Sequence, residues 1–326
     1  MSEPAVSVVV PTCGRPELLN RCLQALCYQT LSGARYEVIV VDDQPHRQTE
    51  AIVSAWRSGT PPQGPALIYV ANTGPHGPAA ARNRGWRVAR SAIIAFTDDD
   101  TVPSGRWLEN GLAALGPDGD VLRGRIVMPL AGTPTDYERD AQQLERADFV
   151  TANCFCRKRL LEALGGFDER FRMAWREDSD LYFRLLDLEA RIVQGPDAVV
   201  VHPVRPAPWG VSISQQKKIL FDALLYKKHP RRYRQKIRAK PRWDYYLTVA
   251  LLLLALSGAA GDAPLPASIA AAGWACMTAR FCWRRLQGTS RAPLHVAEMI
   301  VTSALIPPCA LFWRAVGALR FRVVFT

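Results

Sequence analysis

The chain has 326 residues and a formal net charge of +11. That length holds one large domain or two ordinary ones, with enough chain to bury a core. Hydrophobic residues at 48% and charged residues at 22% exclude a disordered or collagen-like chain. In chain order, Val6–Val10 is a β-branched apolar run and predicts a strand ending at Pro11-Thr12. A helix follows over 17–30, with Leu18, Cys22, Leu23 and Leu26 on one face. Residues 36–41 predict a second strand, 48–58 a helix, 66–70 a third strand and 78–89 a helix that opens on proline. Residues 93–97 predict a fourth strand, which ends at Asp98-Asp99-Asp100. Alternation of strand and helix implies an α/β fold with a mostly parallel sheet covered on both faces. Such sheets bind ligands beyond the carboxyl ends of their strands. After Arg106 the pattern loosens. Further strands are expected over 121–128, 150–157 and 198–202, and helices after 157, over 178–188 and over 213–228.

The positive charge is concentrated. Residues 1–226 hold 25 basic and 27 acidic side chains, whereas residues 227–242 hold 9 basic and no acidic ones. Nucleic-acid binding therefore ranks lowest, because the body of the chain is not basic. Directly after the basic segment come uncharged runs over 245–261 and 263–279. Each approaches the roughly 17–25 residues that cross a bilayer. A third apolar stretch, 299–313, contains Pro307-Pro308 and is expected to be broken or re-entrant. Basic residues beside membrane helices stay cytoplasmic. The expected organisation is a domain over 1–226, a basic linker over 227–242 and membrane-associated helices over 243–326. The last part has spans near 245–261 and 263–283 and a broken segment near 296–316. The N-terminal apolar run lacks a basic flank and a cleavage site, so the large domain is expected in the cytoplasm, held on the inner membrane. The eight cysteines have no metal-ligand spacing and are expected as thiols.

Several clusters carry chemistry. Three adjacent carboxylates at Asp98–Asp100 repel one another, and a hard divalent cation relieves that repulsion. A solvated acidic turn is the plain alternative. Asp42-Asp43 ends another strand and suits a nucleoside base or ribose, or a simple turn. Residues 72–86 form a glycine-containing loop and a helix bearing Arg82, Asn83 and Arg84, a setting that favours phosphate. Glu177, Asp178 and Asp180 open a helix, where acids either cap or act as a base. His202 ends an apolar strand, as a structural group or a metal ligand.

In this order, VSVVVPTCGRPELL (6–19), EVIVVDD (37–43), GPAAARNRGW (77–86), IIAFTDDD (93–100), TANCFCRKRLLEALGGFDERF (151–171) and REDSDLYFRL (176–185) resemble the family-2 glycosyltransferases, over about residues 5–205. The resemblance implies a GT-A fold and inverting transfer from a nucleotide-diphosphate sugar with Mg²⁺ or Mn²⁺. It places Pro11, Thr12, Arg15, Asp42, Asp43, Arg82, Asn83 and Asp98 around the donor. It assigns Asp98, Asp100 and His202 to the metal, and Asp178 to the general base. Gly166, Phe167, Asp168 and Glu177 would border the acceptor. No QxxRW motif follows the Glu-Asp helix, so transfer of a single sugar to a membrane lipid, polyprenyl phosphate or lipid-linked saccharide fits better than processive polymerisation. The other readings are a sugar nucleotidyltransferase on a similar sheet and a non-catalytic membrane scaffold. The first is disfavoured by the single glycine in Thr12-Cys13-Gly14-Arg15, the second by the presence of every carboxylate.

Overall fold

A computed structural model describes residues 3–59 and 64–325. The chain divides into two compact units. One comprises Met1–Pro129 with Gln143–Val204, the other Leu130–Gln142 with Arg205–Thr326. The expected boundary near residue 226 therefore lies about twenty residues late, and a short internal segment joins the second unit.

The first unit is built on one eight-stranded sheet. Its strands are Val6–Thr12 (β1), Tyr36–Asp42 (β2), Ala66–Ala71 (β3), Ile93–Phe96 (β4), Val102–Pro103 (β5), Val121–Val127 (β6), Cys154–Arg157 (β7) and Ile192–Val201 (β8). They lie in the order β3-β2-β1-β4-β7-β6-β8-β5. The first four are parallel, as the alternation implies. β7 then enters antiparallel to both β4 and β6, while β8 runs parallel to β6. The sheet is thus mixed. Every residue of β1 and β2 is buried, which explains why those runs do not alternate, and the polar pair within them is mutually satisfied, Ser7 Oγ donating to Glu37 Oε1 at 2.7 Å.

Helices cover the sheet: Pro16–Cys27 (α1), Arg47–Gly59 (α2), Pro78–Val88 (α3) and Trp107–Leu115 (α4). α4 escaped the sequence reading. α3 packs close enough that a Cβ on Gly85 would lie 2.4 Å from Val9 Cγ1. Glycine is required there by proximity. Val9, Ile39, Val41, Ala81, Phe96 and Phe167 belong to one buried cluster beneath this contact, each large side chain contributing about 1.5–3 kcal/mol.

Residues Asp136–Ala141 (α5) begin with a capping box between Thr135 and Glu138 and belong to the second unit. Lys158–Leu164 (α6) and Glu177–Asp187 (α7) complete the first. The second continues with Val211–Ser214 (α8), Ile219–Lys228 (α9), Pro230–Arg232 (α10), Trp243–Ala260 (α11), Pro264–Leu286 (α12) and Pro293–Phe321 (α13). The buried Arg285 donates to Asp136 Oδ2 from Nε at 3.1 Å and Nη2 at 2.9 Å, and to Thr302 and Ser303 from Nη1. This clasp is why Leu130–Gln142 belongs to the helical unit.

Among the described residues two helices are long and apolar enough to cross a membrane, α11 and α13. The pairing differs from the expected one. α12 does not qualify among the described residues, because alanine, serine and glycine fill much of it and Arg280, Arg284 and Arg285 its last turns. α13 is a single helix through Pro307-Pro308, not a broken segment. Proline's fixed φ suits a helix, and the loss is confined to two amide donors. Large apolar side chains of α11 face outward, including Leu247, Leu253, Leu254 and Leu256.

Candidate active site

The carboxyl ends of β1, β2 and β4 bring the first three predicted clusters to one edge of the sheet. β1 ends at Pro11-Thr12, both buried, opposite Val41-Asp42 of β2. The Asp43 amide donates to the Thr12 carbonyl at 2.8 Å, extending the pairing by one residue.

The two aspartates after β2 do different work. Asp43 accepts from Asn72 Nδ2 at 2.8 Å and from the Gly77 amide at 2.9 Å, so it clasps the loop into α3. Asp42 is fully buried. Its Oδ2 accepts from the His46 amide and the Tyr69 hydroxyl, while its Oδ1 is buried without a partner among the described residues. An unpartnered buried carboxylate oxygen suits an incoming N–H or O–H donor.

The aspartate triplet also divides. Asp98, Asp100 and His202 each offer one ligand atom, and these atoms lie within 4.8 Å of one another. His202 Nε2 sits 3.6 Å from Asp100 Oδ1, and its Nδ1 is buried without a partner. Two hard oxygen donors and an imidazole whose Nε2 faces Asp100 fit a small divalent ion. Asp99 turns the other way. Its Oδ2 accepts from Thr12 Oγ1 at 2.7 Å, and Arg15 Nη2 lies 2.8 Å from its Oδ1. Burial pushes the Asp99 carboxyl up to about 7 despite Arg15 and the Thr12 hydroxyl. Sequence reasoning missed Asp99, because nothing in a run of three identical residues says which one faces inward. The expected donor contacts Thr12 and Arg15 are in this structure turned toward the triplet, with Arg15 Nη1 3.5 Å from Asp100 Oδ2.

Arg82, expected to meet phosphate, is instead buried between acids. Nη2 donates to Asp98 Oδ1 at 2.7 Å and Nη1 to Glu177 Oε1 at 3.2 Å. Burial raises the Asp98 carboxyl, but the charges of Arg82 and His202 outweigh it and hold the group below the ordinary range. Glu177, expected at the acceptor, is likewise inside. Burial and the neighbouring Asp178 charge raise its carboxyl against the pull of Arg82.

Asn83 is also redirected. Its Nδ2 donates to the Phe167 carbonyl and Glu169, and its Oδ1 accepts from the Phe167 amide and Trp86 Nε1. A fully engaged amide pins the turn at Gly166-Phe167 and leaves nothing for a donor nucleotide. Gly166 has φ +77° and its absent Cβ would strike Asn83 Oδ1 at 2.2 Å. The Phe167 ring is core, edge-on to Phe96 at 5.4 Å. Asp168 binds Arg170 through both oxygens.

Asp178 sits in the first turn of α7, half-buried, where its Oδ1 accepts from the Ser179 amide at 2.6 Å. Burial raises its carboxyl above the ordinary range, against the Ser179 amide, Arg176 and Arg82. That places a carboxylate closer to neutrality, as a proton acceptor requires. Arg176 precedes the helix at φ +77°, a left-handed conformation disfavoured for a residue with a side chain. Its guanidinium lies over the Trp175 ring at 4.4 Å. Sequence offered no sign of this strain.

Residues 7–165 match the family model described as Glycosyl transferase family 2. Glycosyltransferase AglE of Haloferax volcanii is 27% identical over 215 residues, 62% of this chain and 68% of that protein. A mannosyltransferase from Pyrobaculum calidifontis, solved with GDP-Man and Mn²⁺, superposes with a TM-score of 0.62 at 21% identity, covering 96% of this chain and 88% of the other. Staphylococcus aureus TarS 1–349, solved with UDP, gives 0.51 at 19% identity, covering 95% and 91%. These two likenesses show a shared fold. Family model, relatives and fold agree with the six ordered motifs, and the chain is a glycosyltransferase with a family 2 domain on a GT-A fold.

Proposed function

We propose that this chain is an inverting, metal-dependent transferase. It moves one sugar from a nucleotide-diphosphate sugar to a membrane-associated acceptor, a lipid, polyprenyl phosphate or lipid-linked saccharide of cell-envelope or exopolysaccharide synthesis. The observation that carries the reading is the convergence of Asp98, Asp100 and His202 together with a half-buried Asp178 of raised pKa. The solved neighbours hold GDP-Man with Mn²⁺ and UDP, which supports a nucleotide-sugar donor.

Asp98, Asp100 and His202 would hold Mg²⁺ or Mn²⁺. When bound, the ion supplies positive charge for a diphosphate leaving group. Asp42 Oδ1 accepts a hydrogen bond from the nucleoside. Asp178 takes the proton of the acceptor hydroxyl as that oxygen attacks the anomeric carbon, a contribution of typically 10²–10⁴-fold. Arg82 holds Asp98 ionised, and the Arg176–Glu177 turn orients Asp178. The apolar helices α11 and α13, with the basic segment 227–242, anchor the enzyme to the cytoplasmic leaflet, at about 1 kcal/mol for each basic residue near anionic lipid.

The test is a donor panel. Full-length protein in detergent is offered several nucleotide sugars, with and without EDTA, and nucleotide release is scored. Release that needs a divalent ion supports the proposal. Pyrophosphate release from a nucleoside triphosphate and sugar phosphate, with no turnover of nucleotide sugars, would transfer the assignment to the nucleotidyltransferase reading.

A further inference from the structure

The second unit contains a cavity of about 120 Å³ between α11, α12 and α13. That is far above the roughly 10–15 Å³ that admits one water. Its walls are chemically lopsided. Arg280 and Arg284, one turn apart on α12, both line it. Neither forms an ion pair or side-chain hydrogen bond among the described residues, in contrast to Arg285 beside them. The one acid in the wall, Asp244, is already held by Arg242, with contacts of 2.8 and 2.7 Å to its two oxygens. Thr278 adds a buried hydroxyl with no hydrogen-bond partner among the described residues. Tyr245 and Thr248 of α11 line it too, and Pro307 of α13.

Position sharpens the reading. The cavity lies where α11 begins, directly after the basic segment 227–242, and where α12 ends. In a bilayer this is the headgroup level at the cytoplasmic end of α11 and α12, which α13 passes at its middle, at Pro307. Two unpaired guanidiniums and a free hydroxyl form a receptor for a tetrahedral oxyanion, because Arg presents paired N–H donors to phosphate. Outward-facing leucines lie farther along α11, at Leu253, Leu254 and Leu256, where acyl chains would run.

We propose that this cavity seats the phosphate of an anionic membrane lipid. The assignment rests on the membrane placement of α11 given above. It concerns a site apart from the Asp98–Asp100–His202 cluster, one that fastens the helical unit at a fixed depth.

The experiment uses the full chain in nanodiscs containing equal phosphatidylcholine and phosphatidylglycerol. After gentle extraction, native mass spectrometry reads the lipid retained. Phosphatidylglycerol is expected to be retained selectively. In Arg280→Ala/Arg284→Ala its retention should fall roughly 20–30-fold, the effect of two basic contacts at the membrane surface. Arg280→Lys/Arg284→Lys guards against a folding defect: it keeps the charge, loses the paired donors, and should retain an intermediate amount. Thr278→Val should weaken retention without changing nanodisc entry. Equal retention of both lipids by the wild type, or wild-type retention in the alanine variant, would overturn the assignment. Displacement of the lipid by excess glycerol 3-phosphate or inorganic phosphate would identify a free-phosphate site instead and overturn it too. Failure to enter nanodiscs removes the membrane reading and this site with it. Normal entry with unselective retention removes the site alone.

Discussion

Arg82 joins the two acidic clusters of the site, and its replacement by methionine is the sharpest test of that architecture. The side chain is 4% exposed and makes two charge-assisted hydrogen bonds, at 2.7 Å to Asp98 and 3.2 Å to Glu177. Methionine keeps most of the volume and removes both. At roughly 1.5–3 kcal/mol for each such bond the loss is about 3–6 kcal/mol. Removing one partner of a buried pair gives a similar figure, about 3–5 kcal/mol. The lower end applies, because Glu177 already has a raised pKa and relieves its isolation by taking a proton. A loss of about 3 kcal/mol in a domain of this size lowers Tm by roughly 6–12 °C. Differential scanning fluorimetry on the full chain in detergent, with divalent ions chelated, reads it. In Arg82→Met/Glu177→Leu an apolar pair replaces the bridge to Glu177, and part of the Tm should return. A Tm within about 2 °C of wild type for Arg82→Met, under 1 kcal/mol on the same scale, would refute the reasoning. The two contacts would then contribute nothing that solvent does not replace.

Asp178→Asn should lower kcat by about 10²–10⁴-fold with little change in donor KM. In the wild type the same group should set the acidic limb of kcat/KM. A base works deprotonated, so activity falls as pH drops through its pKa, and because burial raises that pKa the fall comes at higher pH than for an ordinary aspartate. A pH profile that keeps its acidic limb in the asparagine variant would assign the limb elsewhere. His202→Ala and Asp100→Asn should each weaken Mn²⁺ binding in calorimetry at least tenfold, about 1.4 kcal/mol. Unchanged binding would dissolve the cluster as a metal site. Gly166→Ala should cost roughly 2–4 kcal/mol in thermal or denaturant unfolding, because it adds left-handed strain to a collision with Asn83. Asp42→Asn should raise donor KM severalfold and leave kcat nearly unchanged, as loss of binding shared by ground and transition states requires.

Much of this protein was legible before its tertiary structure. Strand–helix alternation up to Phe96 follows from local apolar patterning, and the structure repeats it within about two residues for the strands and three for the helix ends. The aspartates lie where strand ends put them. Beyond Arg106 legibility dropped, because β7 enters antiparallel between β4 and β6 and pairs with residues some sixty and thirty positions away. No local pattern encodes that partner. α4 was missed for a related reason: its apolar residues, Trp107, Leu108 and Leu115, acquire meaning only against the strands they cover. In the second unit α13 carries Pro307-Pro308 within one continuous helix and α12 ends in arginines, neither of which the length of an apolar run registers.

By itself the sequence determined the family 2 domain, the succession of strands and helices in the first half and the set of acids available, since these depend on residue type, spacing and local periodicity. Tertiary structure alone decided what each side chain does. It turned Asp99 inward to Thr12 while Asp98 and Asp100 met His202 from a strand about a hundred residues on. It drew Arg82 and Asn83 away from any nucleotide and engaged them with Glu177 and Phe167. The reason is physical. Ionic and hydrogen-bond partners are selected by short distances in a low-dielectric interior, and those distances exist only once remote segments have packed.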